Sequence, residues 1–222
     1  MVVTPPPLSD ARSRHDLVET AWWLRVLLIL FTLSGLVSLI SNSMQLELFL
    51  RQEWTAQEVE SNDARQDLVG FFVVGIYVVT VFAFARWVLL ANRHVRMLGA
   101  EGLAQTPGKA VLFFFVPVVN LFLPYRGMRE LWRASHRPSA WKDVPAPAWL
   151  PVWWGFWLAT NLFGRIAKVL GDRVNDLPSG ILSTKVSIFQ NLLLVVLGVL
   201  AWLVVARITA AQLLPSDLTD EA

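Results

Sequence analysis

Four long stretches of this sequence are almost free of charge: Trp22 to Ile40, Leu68 to Ala91, Trp149 to Ile166 and Val186 to Ala206. Each carries at most one charged residue, Arg25, Arg86 or Arg165, and Arg25, Arg86 and the later Arg207 fall at the expected cytoplasmic edge, where a long side chain can snorkel to the headgroups. At about 1.5 Å per residue, such lengths suit a hydrocarbon layer of roughly 30 Å. A backbone in lipid must satisfy its own hydrogen bonds, so stretches of this kind fold as helices. The expected fold class is all-α: a polytopic integral membrane protein of about four transmembrane helices.

Composition agrees. Hydrophobic residues make up 55% of the chain and charged residues 16%, against roughly 45–50% and 25% in soluble domains. The 11 tryptophans suit the membrane–water boundary. The chain has no cysteine, which excludes disulfides, thiolate metal sites, attached c-type haem and cysteine nucleophiles. His15, His94 and His136 lack metal-ligand spacing, so neither a metal nor a cofactor is expected. A net charge of +2 is too mild for nucleic acid. No cleavable signal peptide is evident, so the first apolar helix is expected to remain as an anchor.

The layout read from these features is a cytoplasmic polar tail over residues 1–21, a single membrane domain over 22–212 and a cytoplasmic tail over 213–222. The acidic connector 41–67 falls outside, and Leu46, Phe49, Leu50 and Trp54 in it recur at helical spacing suited to the membrane surface. A second outer loop covers residues 167–185. Gly99 is the natural stop for the second helix.

Residues 107–125 form an unusual element. Pro117 interrupts an apolar stretch in which 14 helical residues, 110–123, reach only about 21 Å. Both flanks are basic: Arg93, Arg96 and Lys109 before it, then Arg126, Arg129, Arg133, Arg137 and Lys142. Basic short loops stay in the cytoplasm. The segment is therefore expected to be re-entrant or interfacial, with both chain termini inside.

Residues 126–137 read as a cytoplasmic amphipathic helix. Met128, Leu131, Trp132 and Ser135 fall on one face; Arg126, Glu130, Arg133 and Arg137 fall opposite, with Arg129 at the flank. On an anionic leaflet each near-surface Lys or Arg gains about 1 kcal/mol.

The stretch Arg86 to Ser135 resembles an uncharacterised bacterial membrane family, domain of unknown function 4328. The resemblance is carried by Trp87, Asn92, Leu98, Gly99, Pro107-Gly108, Val116 to Leu121, Pro124, Glu130, Trp132, Ala134 and Ser135. Trp153, Trp154, Trp157, Asn161, Arg165, Arg207 and Gln212 extend it over residues 68–212. Lys109 departs from the tryptophan expected there. The resemblance implies a location in the bacterial inner membrane and brings no activity.

The candidate polar and lipid-contact residues are Asn92, Arg93, Pro117, Asn120, Pro124, Arg126, Arg129, Glu130 and Arg133. Asn120 either caps backbone groups freed by the prolines or lines a cytoplasm-facing cavity. The arginines form either a solvated, lipid-facing surface or a specific phosphate site without a glycine-rich cradle. Asn161, Gln190 and Asn191 suit hydrogen bonds between helices. No Asp, Glu or His lies centrally in a span, which argues against proton-coupled transport.

Three functions fit. The first is a non-catalytic scaffold, sensor or regulator whose basic element meets membrane lipids with anionic headgroups, or a protein partner or second copy. The others are a small oligomeric channel with a path near Pro117 and Asn120, and an enzyme acting on lipid headgroups through Glu130.

Overall fold

A computed structural model describes residues 8–51 and 53–214. The described chain is built from helices and loops: α1 (Leu8–Arg51), α2 (Ala56–Met97), α3 (Pro107–Leu112), α4 (Leu123–His136), α5 (Trp149–Gly171) and α6 (Leu177–Leu213). Short 3-10 turns add Val119–Leu121 and Trp141–Asp143. Among the described residues, three helices are long and apolar enough to cross a membrane: Ala11–Arg51, Ala56–Met97 and Leu177–Leu213. Helix α5 spans 23 residues and is not one of these three; four tryptophans, Asn161 and Arg165 interrupt its aliphatic residues.

Helices run further than hydropathy alone suggests. Much of the expected N-terminal tail is helical, since α1 already begins at Leu8. Nothing stops it: from Leu8 to Arg51 there is no proline, and Gly35 is the only glycine. Leu17, Ala21 and Leu24 are fully buried at three- and four-residue spacing, which anchors this extension. Pro5 to Pro7 and the acidic Asp217, Asp220 and Glu221 lie outside the described residues.

The expected connector 41–67 is mostly taken up by the ends of two helices. Only residues 52–55 separate α1 from α2. Gln45 Nε2 donates to Thr184 Oγ1 at 3.2 Å, and Phe49 packs against Gly180, so this part of α1 rests on α6. Arg65 donates to Ser41 Oγ and O, tying α2 to α1. Thr55 and Glu58 form a reciprocal cap at the start of α2: the Glu58 carboxylate accepts from Thr55 N at 2.8 Å, and Thr55 Oγ1 accepts from Glu58 N at 3.2 Å. The loop expected over residues 167–185 shrinks to residues 172–176. There Asp176 accepts from the hydroxyl and backbone N–H of Ser179, bonds that hold its carboxyl below the usual carboxylate range and cap α6.

The chain packs as two compact units. One takes the described parts of Met1–Val26, Val81–Pro151 and Trp202–Ala222. Its core joins Leu17, Ala21 and Leu24 of α1, Trp87, Val88, Ala91 and Val95 of α2, Met128, Leu131 and Ala134 of α4, and Val204, Val205 and Ile208 of α6. The other takes Leu27–Thr80 and Val152–Ala201. In it α1 and α6 approach closely through two glycines. A Cβ on Gly198 would fall 2.2 Å from Thr32 Oγ1, and one on Gly35 would fall 2.6 Å from Leu194 Cδ2.

Helix α2 exposes large apolar side chains, with Phe71 at 75% and Phe82 at 72%. Only 6% of its most apolar stretch is buried by the rest of the chain. Water would disfavour so long an apolar surface, whereas hydrocarbon accepts it. The long apolar helices thus suggest a membrane protein.

Candidate functional site on the fourth helix

The site is organised by how α2 ends and how α4 begins. Leu98 and Ala100 donate to the His94 and Val95 carbonyls while Gly99 adopts φ 95°, the left-handed stop read from the sequence. Gly102, at φ 70°, turns the loop that follows. Thr106 Oγ1 then caps α3 by accepting from Lys109 N, with Pro107 in the first turn. The helix stops at Leu112 because a proline ring clashes with the carbonyl four residues back, and for Pro117 that residue is Phe113.

The break after α3 is tight. Val118 has φ 66° and ψ −49°, and Val119 N donates to Pro117 O at 2.8 Å, closing a γ-turn on a β-branched residue. Such backbone is strained. Pro117 and Val118 are exposed, and Asn120 is half-buried. The Asn120 backbone N–H donates to Val116 O at 2.9 Å, while its side-chain amide makes no hydrogen bond to another described residue. Pro124 is buried in the first turn of α4.

In α4, Met128, Leu131, Trp132 and Ser135 are buried, as their spacing predicts. Glu130 departs from the expected solvated face. It is 8% exposed; Oε1 accepts from Arg126 Nε at 3.2 Å and Oε2 accepts from Ala104 N at 3.0 Å. Arg126 remains exposed, whereas Arg129 and Arg133 are half-buried. The Arg129 guanidinium lies 5.9 Å over the Tyr125 ring. Asn92 is buried and donates to Val88 O within its own helix, while Arg93 is exposed. The structure thus gathers Glu130 and Arg126 into one cluster, but does not join Asn120 or Arg93 to it by a hydrogen bond.

Loop 99–106 is strapped down from several sides. Trp141 Nε1 donates to Glu101 O at 2.8 Å, Glu130 holds Ala104 N, Arg96 donates to Asn92 O and Gln105 O, and Gln105 Nε2 donates to Leu123 O at 2.7 Å. Gly127 makes room, since a Cβ there would lie 2.5 Å from Gln105 Oε1. Glu130→Gln keeps the shape but loses the charge on the acceptor. Amide exchange at Ala104 should rise roughly tenfold, equivalent to about 1.4 kcal/mol, in a hydrogen-exchange measurement. Unchanged protection would mean that the strap does not depend on this carboxylate.

Beneath it sits a second, wholly buried network. Gln212 Nε2 donates to Ala91 O at 3.2 Å and to Ser135 Oγ at 2.8 Å, while His94 Nδ1 lies 3.0 Å from Gln212 Oε1. A carbonyl only accepts, so the amide nitrogen must face Ala91, and His94 Nδ1 must therefore carry the proton that it donates to Oε1. The Ser135 hydroxyl donates in turn to Leu131 O, and Trp87 Nε1 donates to Thr209 Oγ1.

Residues 51–210 match the family described as Domain of unknown function (DUF4328). The chain belongs to that family. No curated protein and no solved structure matches it. Several residues that carried the DUF4328 resemblance meet in the clusters just described: Trp87, Gly99, Glu130, Ser135 and Gln212. Reading the sequence alone missed His94, Arg96, Gln105 and Trp141. One signal was available: Trp87, Ala91 and His94 share a helix face with the buried Val88 and Val95. Asn161, expected to bond between helices, instead donates to Trp157 O in its own helix at 2.7 Å.

Proposed function

We propose that this DUF4328 chain is a non-catalytic module of a bacterial cytoplasmic membrane, a scaffold or regulator that meets anionic lipid headgroups through the outer arc of α4. In this reading α5 is a fourth span, both termini are cytoplasmic, and the proline-broken segment 107–125 is re-entrant or interfacial. The observation that carries it is charge balance on one helix: Arg126, Arg129, Arg133 and Arg137 share an arc in which Glu130 is the only acid, and Glu130 is already engaged by Arg126. A protein partner or a second copy presenting acidic groups would use the same surface. Because Glu130 already accepts at both oxygens, the lipid-headgroup enzyme is the weaker reading. A small channel is favoured only by the half-buried Asn120 amide beside the break at Val118.

The native chain has no cysteine, so topology is directly testable. Glu60→Cys, Arg173→Cys and Lys142→Cys each place a thiol at an exposed position. On intact cells an impermeant thiol reagent should label the first two and spare the third. Labelling of Lys142→Cys from outside would put α4 on the wrong face and end the cytoplasmic headgroup reading.

A further inference from the structure

The arginines of α4 are not equivalent. Arg126 is exposed and paired, its Nε 3.2 Å from the buried Glu130 carboxylate. Arg129 and Arg133 are half-buried, and the Nε–H of each is enclosed with no acceptor. An enclosed donor without a partner is destabilising, the more so when the group is charged. Tyr125 faces the Arg129 cation but offers its Nε–H no lone pair in the ring plane. The C-terminal dipole of α4 favours positive charge near Arg133, yet it too leaves the Nε–H unsatisfied.

One helical turn separates the two residues, a rise of about 6 Å, so both side chains start from the same strip of surface. A guanidinium is a flat fork that matches the oxygens of a phosphate, and a tetrahedral phosphate can present oxygens to two forks at once. A group that draws both planes outward would bring both enclosed Nε–H donors to an acceptor.

We propose that Arg129 and Arg133 together hold a single phosphate group, and that Arg126 stays outside this site because Glu130 engages it. The inference rests on the headgroup reading of α4 and narrows it from a charged surface to a two-arginine site. A lipid headgroup and a soluble phosphate ester offer the same chemistry.

The test uses the full chain, delipidated in neutral detergent, with thermal unfolding followed against added dioctanoyl phosphatidylglycerol, glycerol 1-phosphate and decanoate. Phosphatidylglycerol should stabilise the native protein, and decanoate, an anion without phosphate, should not. The pair Arg129→Gln with Arg133→Gln should weaken the apparent affinity at least tenfold. The pair Arg126→Gln with Arg137→Gln, equal in charge lost, should weaken it less than threefold. Ligand-free unfolding of both pairs checks that they fold. Stabilisation by glycerol 1-phosphate as well would assign a soluble ester; stabilisation by the lipid alone would assign a headgroup, and both support the site. Equal losses in the two pairs, or decanoate acting as well as the lipid, would overturn the site while leaving a diffuse anionic surface. No stabilisation of the native protein by any anion would defeat the headgroup reading itself.

Discussion

Gln212→Leu is expected to destabilise the protein by about 3 kcal/mol, because the change removes at once the hydrogen bonds to His94 Nδ1, Ser135 Oγ and Ala91 O. Gln212 is 2% exposed and Ser135 is 2% exposed, so water does not readily replace the lost amide. Hydrogen bonds between membrane helices average only about 0.6 kcal/mol each, which would put the loss of three near 2 kcal/mol. The cost of leaving buried polar groups unpaired raises the total. Leucine occupies similar volume, so the effect is polar and not a cavity. Thermal or denaturant unfolding in detergent measures it. A second readout is the His94 ring: in the native protein nitrogen NMR should find the proton on Nδ1. A loss under about 1 kcal/mol, or a proton found on Nε2 alone, would show that the Gln212 amide is not oriented as described.

Gly198→Leu should be at least as damaging in the other unit. Its Cβ alone would stand 2.2 Å from Thr32 Oγ1 and 3.3 Å from Phe31 Cδ1. Thr32 cannot easily yield, because its hydroxyl donates to Leu28 O at 2.8 Å and its Cβ is also within 3.3 Å. Overpacking usually costs about 1–3 kcal/mol, and a leucine wedged between α1 and α6 should reach or exceed the upper end. Gly70→Leu is the control, since a Cβ there meets nothing within 4 Å. The expected outcome is a folded, monodisperse Gly70→Leu protein and a sharply lower yield and unfolding midpoint for Gly198→Leu. Two equally stable variants would mean that α1 and α6 are not held together at these glycines.

Local features were legible wherever one residue or one short period decides the outcome. Gly99 ends α2 because left-handed backbone is open to glycine. Pro117 interrupts the helix before it because its ring excludes the carbonyl four residues earlier. Met128, Leu131, Trp132 and Ser135 are buried because the helical repeat puts them on one face. Helix length was much less legible. Hydropathy marks the part of a helix that suits lipid, whereas the helix continues until something stops it. The polar residues from Leu8 to Thr20 and from Ser41 to Arg51 contain no such stop.

The sequence by itself determined the class of molecule: long uncharged stretches permit helices in lipid, and the absence of cysteine removes a whole range of chemistry. Tertiary structure alone decided which polar groups meet. His94 and Gln212 stand 118 residues apart, and no periodicity relates them. Glu130 shares a helix face with the arginines, yet it is buried because loop 99–106 folds back and offers the Ala104 N–H. The same packing separates Arg126 from Arg129 and Arg133, leaving two enclosed donors where the sequence shows a uniform basic arc. The physical reason is common to all three cases. Periodicity reports the environment of one helix face, whereas a hydrogen bond needs a partner whose position is set by another segment of the chain.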